Sequence, residues 1–171
     1  MRFTLLDRIV ELEAGRRITA IKTLALAEEY LGDHFPLFPV MPGVLMLEAM
    51  TQSGAWLVRA SEDFAHSMVV LKEARTVKYA DFVQPGQTLT VSAEITGQDE
   101  HETKLKAQGT VDGRVSVSAR LVLARYNLAD AAPANSSTAA ASDRHVTCEM
   151  RKLFALLYKP AVQRTPAPAS A

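Results

Sequence analysis

The sequence predicts an α+β fold in which one long central helix is wrapped by a curved antiparallel β-sheet. Two observations lead to this fold class. Apolar and polar residues alternate through most of residues 69–126, and QPGQ, TGQDEHE and VDGR interrupt the alternation with turn signals, as in a meander of antiparallel strands. Ahead of the meander, the segment from Val44 to about Arg59 is apolar on nearly every side and too long for a strand.

The other elements complete this architecture. RFTLLDRIVELEAGRRITAIKTLA, near the start, favours two strands around a turn at residues 13–16, because β-branched and apolar residues cluster on both sides of AGR. A helix that is apolar all round is expected to be buried all round, which a wrapping sheet of the hot-dog type achieves. Such a sheet leaves edges and an apolar flank, so we expect a homodimer whose sheets continue across the interface.

A change of composition near residue 127 divides the chain. Residues 1–126 form the predicted domain, whereas residues 127–143 are rich in alanine, serine and proline and indicate a linker. Residues 144–159 have the apolar spacing of one helical face, and residues 160–171 indicate a disordered tail. The helix could dock on its own domain or on a neighbouring subunit. As a basic amphipathic helix, it could also contact a membrane or an acidic partner.

Charge and cysteine content exclude several classes of protein. The 19 basic residues balance the 19 acidic ones, which argues against a nucleic-acid binder. Cys148 is the single cysteine, so an intrachain disulfide is impossible and a reducing cytoplasm fits best. His66, His101, His145 and Cys148 lack metal-ligand spacing, so we predict no metal site. We also expect no membrane-spanning segment, since no apolar run approaches the required length.

One carboxylate, Glu48, interrupts the apolar helix. An ionised carboxylate that is buried without a partner costs several kcal/mol, so Glu48 must be paired, hydrogen-bonded or kept protonated. A protonated glutamate can serve as a general acid, whereas a purely structural glutamate would lie where the helix meets water. Gln52 lies one helical turn further on and could orient the carboxylate or be an ordinary polar residue.

His34 precedes this acid by 14 positions, in a segment stiffened by three prolines between residues 36 and 42. A lone loop histidine is usually solvated, but the rigid proline-containing segment can hold its side chain at a defined position. Pro42 and Gly43 begin the long helix, whose first amides carry the positive end of the helix dipole and could polarise a carbonyl oxygen. A base, an acid and a carbonyl-binding group together suit an elimination reaction. The base would remove a proton from the carbon next to a carbonyl, and a group would leave from the following carbon.

These residues carry a resemblance to a known family. HFPLFPVMPGVLMLEAMTQ, residues 34–52, resembles the active-site segment of the 3-hydroxyacyl-[acyl-carrier-protein] dehydratases, which reads roughly HFPGxPxxPGVLxxEAMxQ. Similar segments lie on both sides, namely residues 5–36, KEAR at 72–75 and VQPGQTL at 83–89. The resemblance covers residues 3 to about 126 and implies a hot-dog fold. Leu37 stands where the family pattern has glycine.

The resemblance implies a role for each matching position. His34 would act on the C2 proton of a 3-hydroxyacyl thioester, and Glu48 would assist departure of the C3 hydroxyl as water. The amides of Gly43 and Val44 would hold the thioester carbonyl. In this family the histidine and the acid of one site come from different subunits, which form homodimers or a trimer of dimers. No cofactor is required, because the phosphopantetheine arm arrives with the acyl carrier protein.

Two further residues, Tyr79 and Phe82, are candidates to gate an acyl tunnel or to be ordinary surface aromatics. A glutamate at position 48 favours the dehydratase branch over the dual dehydratase and isomerase branch, whereas VMPG at 40–43 is more similar to the latter. Two alternatives stay open. One is a hot-dog hydratase or thioesterase that acts on coenzyme A esters, and the other is a non-catalytic module that binds acyl carrier protein.

Overall fold

A six-stranded antiparallel sheet and one long helix form the body of the protein. The computed structural model describes residues 3–131 and 137–160. The sheet order is β1-β2-β4-β5-β6-β3. The elements are β1 (Arg8–Glu13), β2 (Arg17–Thr23), α1 (Gly43–Ser61), β3 (Met68–Tyr79), β4 (Thr88–Gln98), β5 (Glu102–Val111), β6 (Arg114–Tyr126) and α2 (Ser137–Leu157), with short 3₁₀ helices at Glu29–Gly32 and Leu128–Ala131. The predicted hot-dog architecture is therefore confirmed.

Tight turns fix the register of the sheet. Asp112 and Gly113 alone join β5 to β6, and both have positive φ, 48° and 78°, as a two-residue hairpin turn requires. Gly15 has a φ of 75° in the turn between β1 and β2, at the position predicted from the sequence. These turns keep alternate side chains of the meander on the face that packs against α1.

The core lies between α1 and the sheet, and two glycines permit close packing there. A Cβ atom added at Gly54 of α1 would lie 3.3 Å from Leu123 Cδ1, so the helix approaches β6 closely at this point. On the sheet, a Cβ added at Gly109 would lie 2.8 Å from both Leu89 Cδ1 and Val117 Cγ1. Those two side chains are fully buried. Gly109 therefore fills a place in the core that a larger residue cannot occupy without displacing its neighbours.

The first turns of α1 differ from the prediction of burial on every side. Val44 is 67% exposed, and Leu45, Leu47 and Glu48 are only half-buried. The sheet of a single chain covers one side of these turns, while further along the helix residues 53–58 are all buried. The predicted homodimer would cover the open side, and it stays a prediction.

The C-terminal helix begins earlier than predicted. The sequence pattern indicates a helix over residues 144–159, but α2 spans Ser137–Leu157. The alanine-rich residues 139–141, assigned to the linker, have the highest helix propensity and extend the helix towards its N-terminus. Of the predicted tail, residues 161–171 fall outside the described part of the chain. None of the helices in the described residues is both long and apolar enough to cross a membrane.

The helix α2 docks on its own domain, which is the first of the alternatives predicted for it. The ring of Phe154 lies 5.9 Å from that of Trp56 and 5.5 Å from that of Phe64, measured between centroids. Arg151 Nη1 donates a hydrogen bond of 2.8 Å to Asp63 Oδ1. Leu157 is 5% exposed and completes the apolar contact. Apolar burial therefore provides most of the docking, and the exposed ion pair adds little.

Asp143 ties the start of α2 to the sheet. Its carboxylate accepts hydrogen bonds from the Leu128 amide (2.8 Å), from the Ala129 amide (2.9 Å) and from the Ser67 hydroxyl. Burial alone would raise the pKa of Asp143, but these hydrogen bonds outweigh it and hold the pKa below its ordinary value. The carboxylate thus joins the second 3₁₀ helix and the residue that precedes β3 to α2.

Candidate active site

His34 follows the first 3₁₀ helix and is held by its own loop. Its amide donates to Tyr30 O (3.0 Å), and its carbonyl accepts from the Val40 amide (3.3 Å). The imidazole Nδ1 lies 3.2 Å from Val40 O. Because a carbonyl can only accept, Nδ1 carries the hydrogen of this bond, and in the neutral ring Nε2 is left with a free lone pair. His34 is therefore oriented to take up a proton at Nε2.

The proline-rich arm is anchored at its far end. Val40 and Met41 are fully buried, and the Met41 amide donates to Val83 O at 2.8 Å. Leu37, at the tip of the arm, is completely exposed. Its side chain therefore points into solvent in the single chain and leaves the imidazole free.

The His34 side chain lines a cavity of about 410 Å³ together with three other residues predicted from the sequence, Gly43, Tyr79 and Phe82. The Tyr79 ring packs directly on Gly43, since a Cβ added there would lie 3.0 Å from Tyr79 Cε1. Tyr79 and Phe82 are both about half-exposed. The cavity thus combines an imidazole, aromatic walls and the start of α1.

The first residues of α1 provide backbone donors at this cavity. The Leu45 and Met46 amides donate to Pro42 O, at 2.9 and 3.2 Å. Gly43 and Val44 precede them, and amides in the first turn of a helix have no carbonyl partner within that helix. These amides carry the positive end of the helix dipole and can polarise an acyl carbonyl.

Glu48 is half-buried and has a defined partner. Gln52 Nε2 donates a hydrogen bond of 2.9 Å to Glu48 Oε1, which is the contact that their spacing allows on a helix. Gln52 also donates to Phe3 O (3.1 Å) and accepts from the Leu5 amide (3.0 Å). The side-chain amide therefore fixes one carboxylate oxygen of Glu48 and the N-terminal segment together.

A second cavity, of about 460 Å³, contains Glu48 and is separate from the His34 cavity. Glu48, Thr51, Gln52, Ala55, Trp56 and Arg59 of α1, Val69, Val70 and Leu71 of β3, Phe3 and Thr4, and Met150 and Leu153 of α2 line it. Most of these side chains are apolar, so the cavity suits a hydrocarbon chain. Within one chain, the structure places His34 and Glu48 in different cavities.

Arg59 is a residue of this cavity that sequence reasoning missed. Positions 48, 52, 55 and 59 share one face of a helix, and this spacing could have revealed it. The guanidinium lies 5.8 Å from the Trp56 ring centroid, and Nη2 donates to Ser67 O at 3.3 Å. Among the described residues its buried Nε has no hydrogen-bond partner. Burial lowers the pKa of Arg59 from its ordinary value to about 10.

The two cavities lie at opposite ends of one strand. Val69 and Leu71, at the start of β3, line the Glu48 cavity, whereas Tyr79, at its end, lines the His34 cavity. β3 is an edge strand, and within the described residues its one partner strand is β6. An edge of this kind can pair with another strand.

Comparison with known proteins identifies the family. Residues 1–122 match the profile described as FabA-like domain. The 3-hydroxyacyl-[acyl-carrier-protein] dehydratase FabZ of Ruminiclostridium cellulolyticum is 35% identical over 122 residues, which cover 71% of this chain and 86% of the relative. The protein of the same name from Janthinobacterium sp. (strain Marseille) is 37% identical over 133 residues, covering 76% and 85%.

Solved structures share the fold at lower identity. The dehydratase heterocomplex ApeI:P from Xenorhabdus doucetiae has a TM-score of 0.59 at 20% identity, covering 72% of this chain and 84% of that one. A mutant thioesterase from Pseudomonas aeruginosa has a TM-score of 0.56 at 17% identity, covering 70% and 80%. The fold is thus shared by dehydratases and thioesterases, while the sequence matches carry the family. The chain belongs to the FabA-like family and is a homologue of the FabZ-type 3-hydroxyacyl-[acyl-carrier-protein] dehydratases.

Proposed function

We propose that this protein removes water from (3R)-hydroxyacyl-[acyl-carrier-protein] to give the trans-2-enoyl thioester, in fatty acid or related acyl-chain synthesis. The observation that carries the proposal is the arrangement of His34 and Glu48 in two cavities at opposite ends of the edge strand β3. Membership of the family supports the substrate class. A cytoplasmic location and acyl carrier protein as partner belong to the same proposal.

A homodimer would join the two cavities into one site. When two copies of β3 pair antiparallel about a two-fold axis, the Tyr79 end of one strand lies beside the Val69 end of the other. The His34 cavity of one subunit then faces the Glu48 cavity of its neighbour, and the dimer contains two composite sites. The half-exposed aromatics Tyr79 and Phe82 and the exposed Val44 would be covered by this contact.

The proposed elimination uses one proton acceptor and one proton donor. His34 Nε2 takes the proton from C2, and the electrons of that C–H bond form the C2–C3 double bond. The C3–O bond breaks, and the hydroxyl leaves as water with a proton from the Glu48 carboxylic acid. Amides of Gly43 and Val44 stabilise the negative charge that develops on the thioester oxygen. Return of the proton from His34 to Glu48 through solvent restores the site, so the reaction consumes no cofactor.

The test is spectrophotometric interconversion of 3-hydroxyacyl and trans-2-enoyl thioesters on an acyl carrier protein. Wild type should convert them, and His34→Ala and Glu48→Gln should each lower kcat by about 10²–10⁴-fold, as for loss of a general acid or base. His145→Ala and Glu11→Gln, at exposed positions, serve as matched controls. Release of free carrier thiol without dehydration would instead identify a thioesterase. Carrier binding without either reaction would identify a binding module.

A further inference from the structure

We propose that α2 closes the far end of the Glu48 cavity and thereby sets the longest acyl chain that the site accepts. The inference rests on the proposed dehydratase function, because it assigns this cavity to the acyl chain of the substrate. It concerns Met150 and Leu153, the two side chains of α2 that line the cavity.

The cavity follows α1 away from the acid. Glu48, Gln52, Ala55 and Arg59 all line it and lie on one face of the helix. Glu48 and Arg59 are separated by 11 residues, which correspond to about 16 Å along the helix axis. A substrate whose C3 hydroxyl lies at Glu48 would therefore extend its hydrocarbon chain along this face towards Arg59.

The helix α2 crosses the far end of this path. Phe154, next to Leu153, packs on Trp56 and on Phe64, both of which lie well beyond Glu48 along the chain. Leu157 is buried one turn further along α2. Because the same stretch of α2 both contacts the distal part of α1 and lines the cavity, Met150 and Leu153 form an end wall there.

Arg59 reinforces this end wall. The residue is partly buried, and its buried Nε has no hydrogen-bond partner among the described residues. A methylene chain pushed against it would remove the remaining access of water to a charged group, which is unfavourable. The end of the cavity is thus closed by apolar side chains from α2 and made unfavourable to hydrocarbon by Arg59.

The wall is a feature of this chain rather than of the matched family domain. The FabA-like match ends at residue 122, and α2 begins at Ser137. Two proteins with the same catalytic residues could therefore differ in chain-length preference through this helix alone.

The experiment measures kcat/KM of the full chain for 3-hydroxyacyl-[acyl-carrier-protein] substrates of increasing length. We expect Leu153→Ala to extend the accepted length, with a gain of about fourfold in kcat/KM for each additional methylene buried. Met150→Phe, which fills the cavity, should shorten the accepted length. Leu156→Ala is the matched control, because Leu156 lies on the same helix but is 73% exposed, and its profile should equal that of wild type.

A second readout does not depend on catalysis. Trp56 is the only tryptophan of the chain and lines the cavity, so its emission reports entry of saturated acyl-pantetheine thioesters. The length at which binding stops improving should rise in Leu153→Ala and fall in Met150→Phe. Identical length limits in wild type and both variants, by activity and by emission, would overturn the proposal.

Failure of the dehydratase proposal gives a different pattern. In that case wild type would convert no thioester of any length. If the longest acyl chain detected by Trp56 emission still increases in Leu153→Ala, that result would support the role of α2 as an end wall. Dehydration by wild type with a length limit unaffected by either α2 variant would support the proposed function and reject the end wall.

Discussion

Mixing two inactive variants should restore activity if each active site takes His34 from one subunit and Glu48 from the other. His34→Ala homodimers lack the base in both sites, and Glu48→Gln homodimers lack the acid in both. A mixed dimer contains one site in which both substitutions meet and one site in which neither occurs. Complementation therefore follows from the separation of the two residues into cavities at opposite ends of β3.

The expected magnitude follows from this geometry. When equal amounts of the two variants exchange subunits at random, about half of the dimers are mixed, and each mixed dimer has one intact site of two. The mixture should therefore reach about one quarter of the wild-type specific activity, although each variant alone is almost inactive. The assay is the spectrophotometric dehydration assay, run before and after mild denaturation and refolding of the mixture.

Two controls make this result decisive. Refolding each variant alone must give no activity, and size-exclusion chromatography must show the same assembly for all samples. If the refolded mixture stays as inactive as its components, His34 and Glu48 act within one chain or not at all. That result would falsify the composite site.

The remaining predictions concern stability. Gly109→Ala should lower the free energy of unfolding by about 1–3 kcal/mol in urea denaturation, because an added Cβ lies 2.8 Å from two buried side chains. Gly97→Ala, whose added Cβ would lie 3.9 Å from its nearest neighbour, should change the free energy by less than about 0.5 kcal/mol, and equal effects would refute the packing explanation. Phe154→Ala should lower the free energy of unfolding by about 2 kcal/mol, because its half-buried ring contacts three other aromatic rings, whereas the exposed Leu156→Ala should leave it nearly unchanged. The folded state lowers the pKa of Asp143, so its stabilising effect is present above the ordinary pKa and lost as the pH falls through the folded value. Asp143→Asn should therefore lose less stability than wild type between pH 7 and pH 3, and a parallel loss in both proteins would contradict this.

The fold could be predicted because its signals are local. Period-two alternation, the turn residues and the long apolar helix each depend on neighbouring positions. The contact between Gln52 and Glu48 could be anticipated for the same reason, since it spans one helical turn. The early start of α2 was missed, because residues 139–141 lie in a stretch of alanine, serine and proline that also fits a linker. The docking contacts of Asp143 and Phe154, which the composition does not reveal, hold this part of the chain as a helix.

Long-range features of the site could not be predicted. His34 and Glu48 are 14 positions apart in the sequence, yet this spacing does not reveal that they line different cavities. The sequence assigns Met150 and Leu153 to an apolar helical face without indicating which cavity that face meets. Such contacts depend on the path of the chain after Tyr126, which no local pattern encodes.

Gln52 links the acid to the start of the chain in a way that affects practical work with the protein. Its side-chain amide donates hydrogen bonds to the Glu48 carboxylate and to the Phe3 carbonyl, and it accepts one from the Leu5 amide. A peptide tag or a deletion that pulls residues 3–5 away would free this amide to rotate, and the carboxylate would lose its fixed orientation. Turnover in the proposed reaction would then fall although His34, Glu48 and both cavities remain intact, so an affinity tag belongs at the opposite end of the chain.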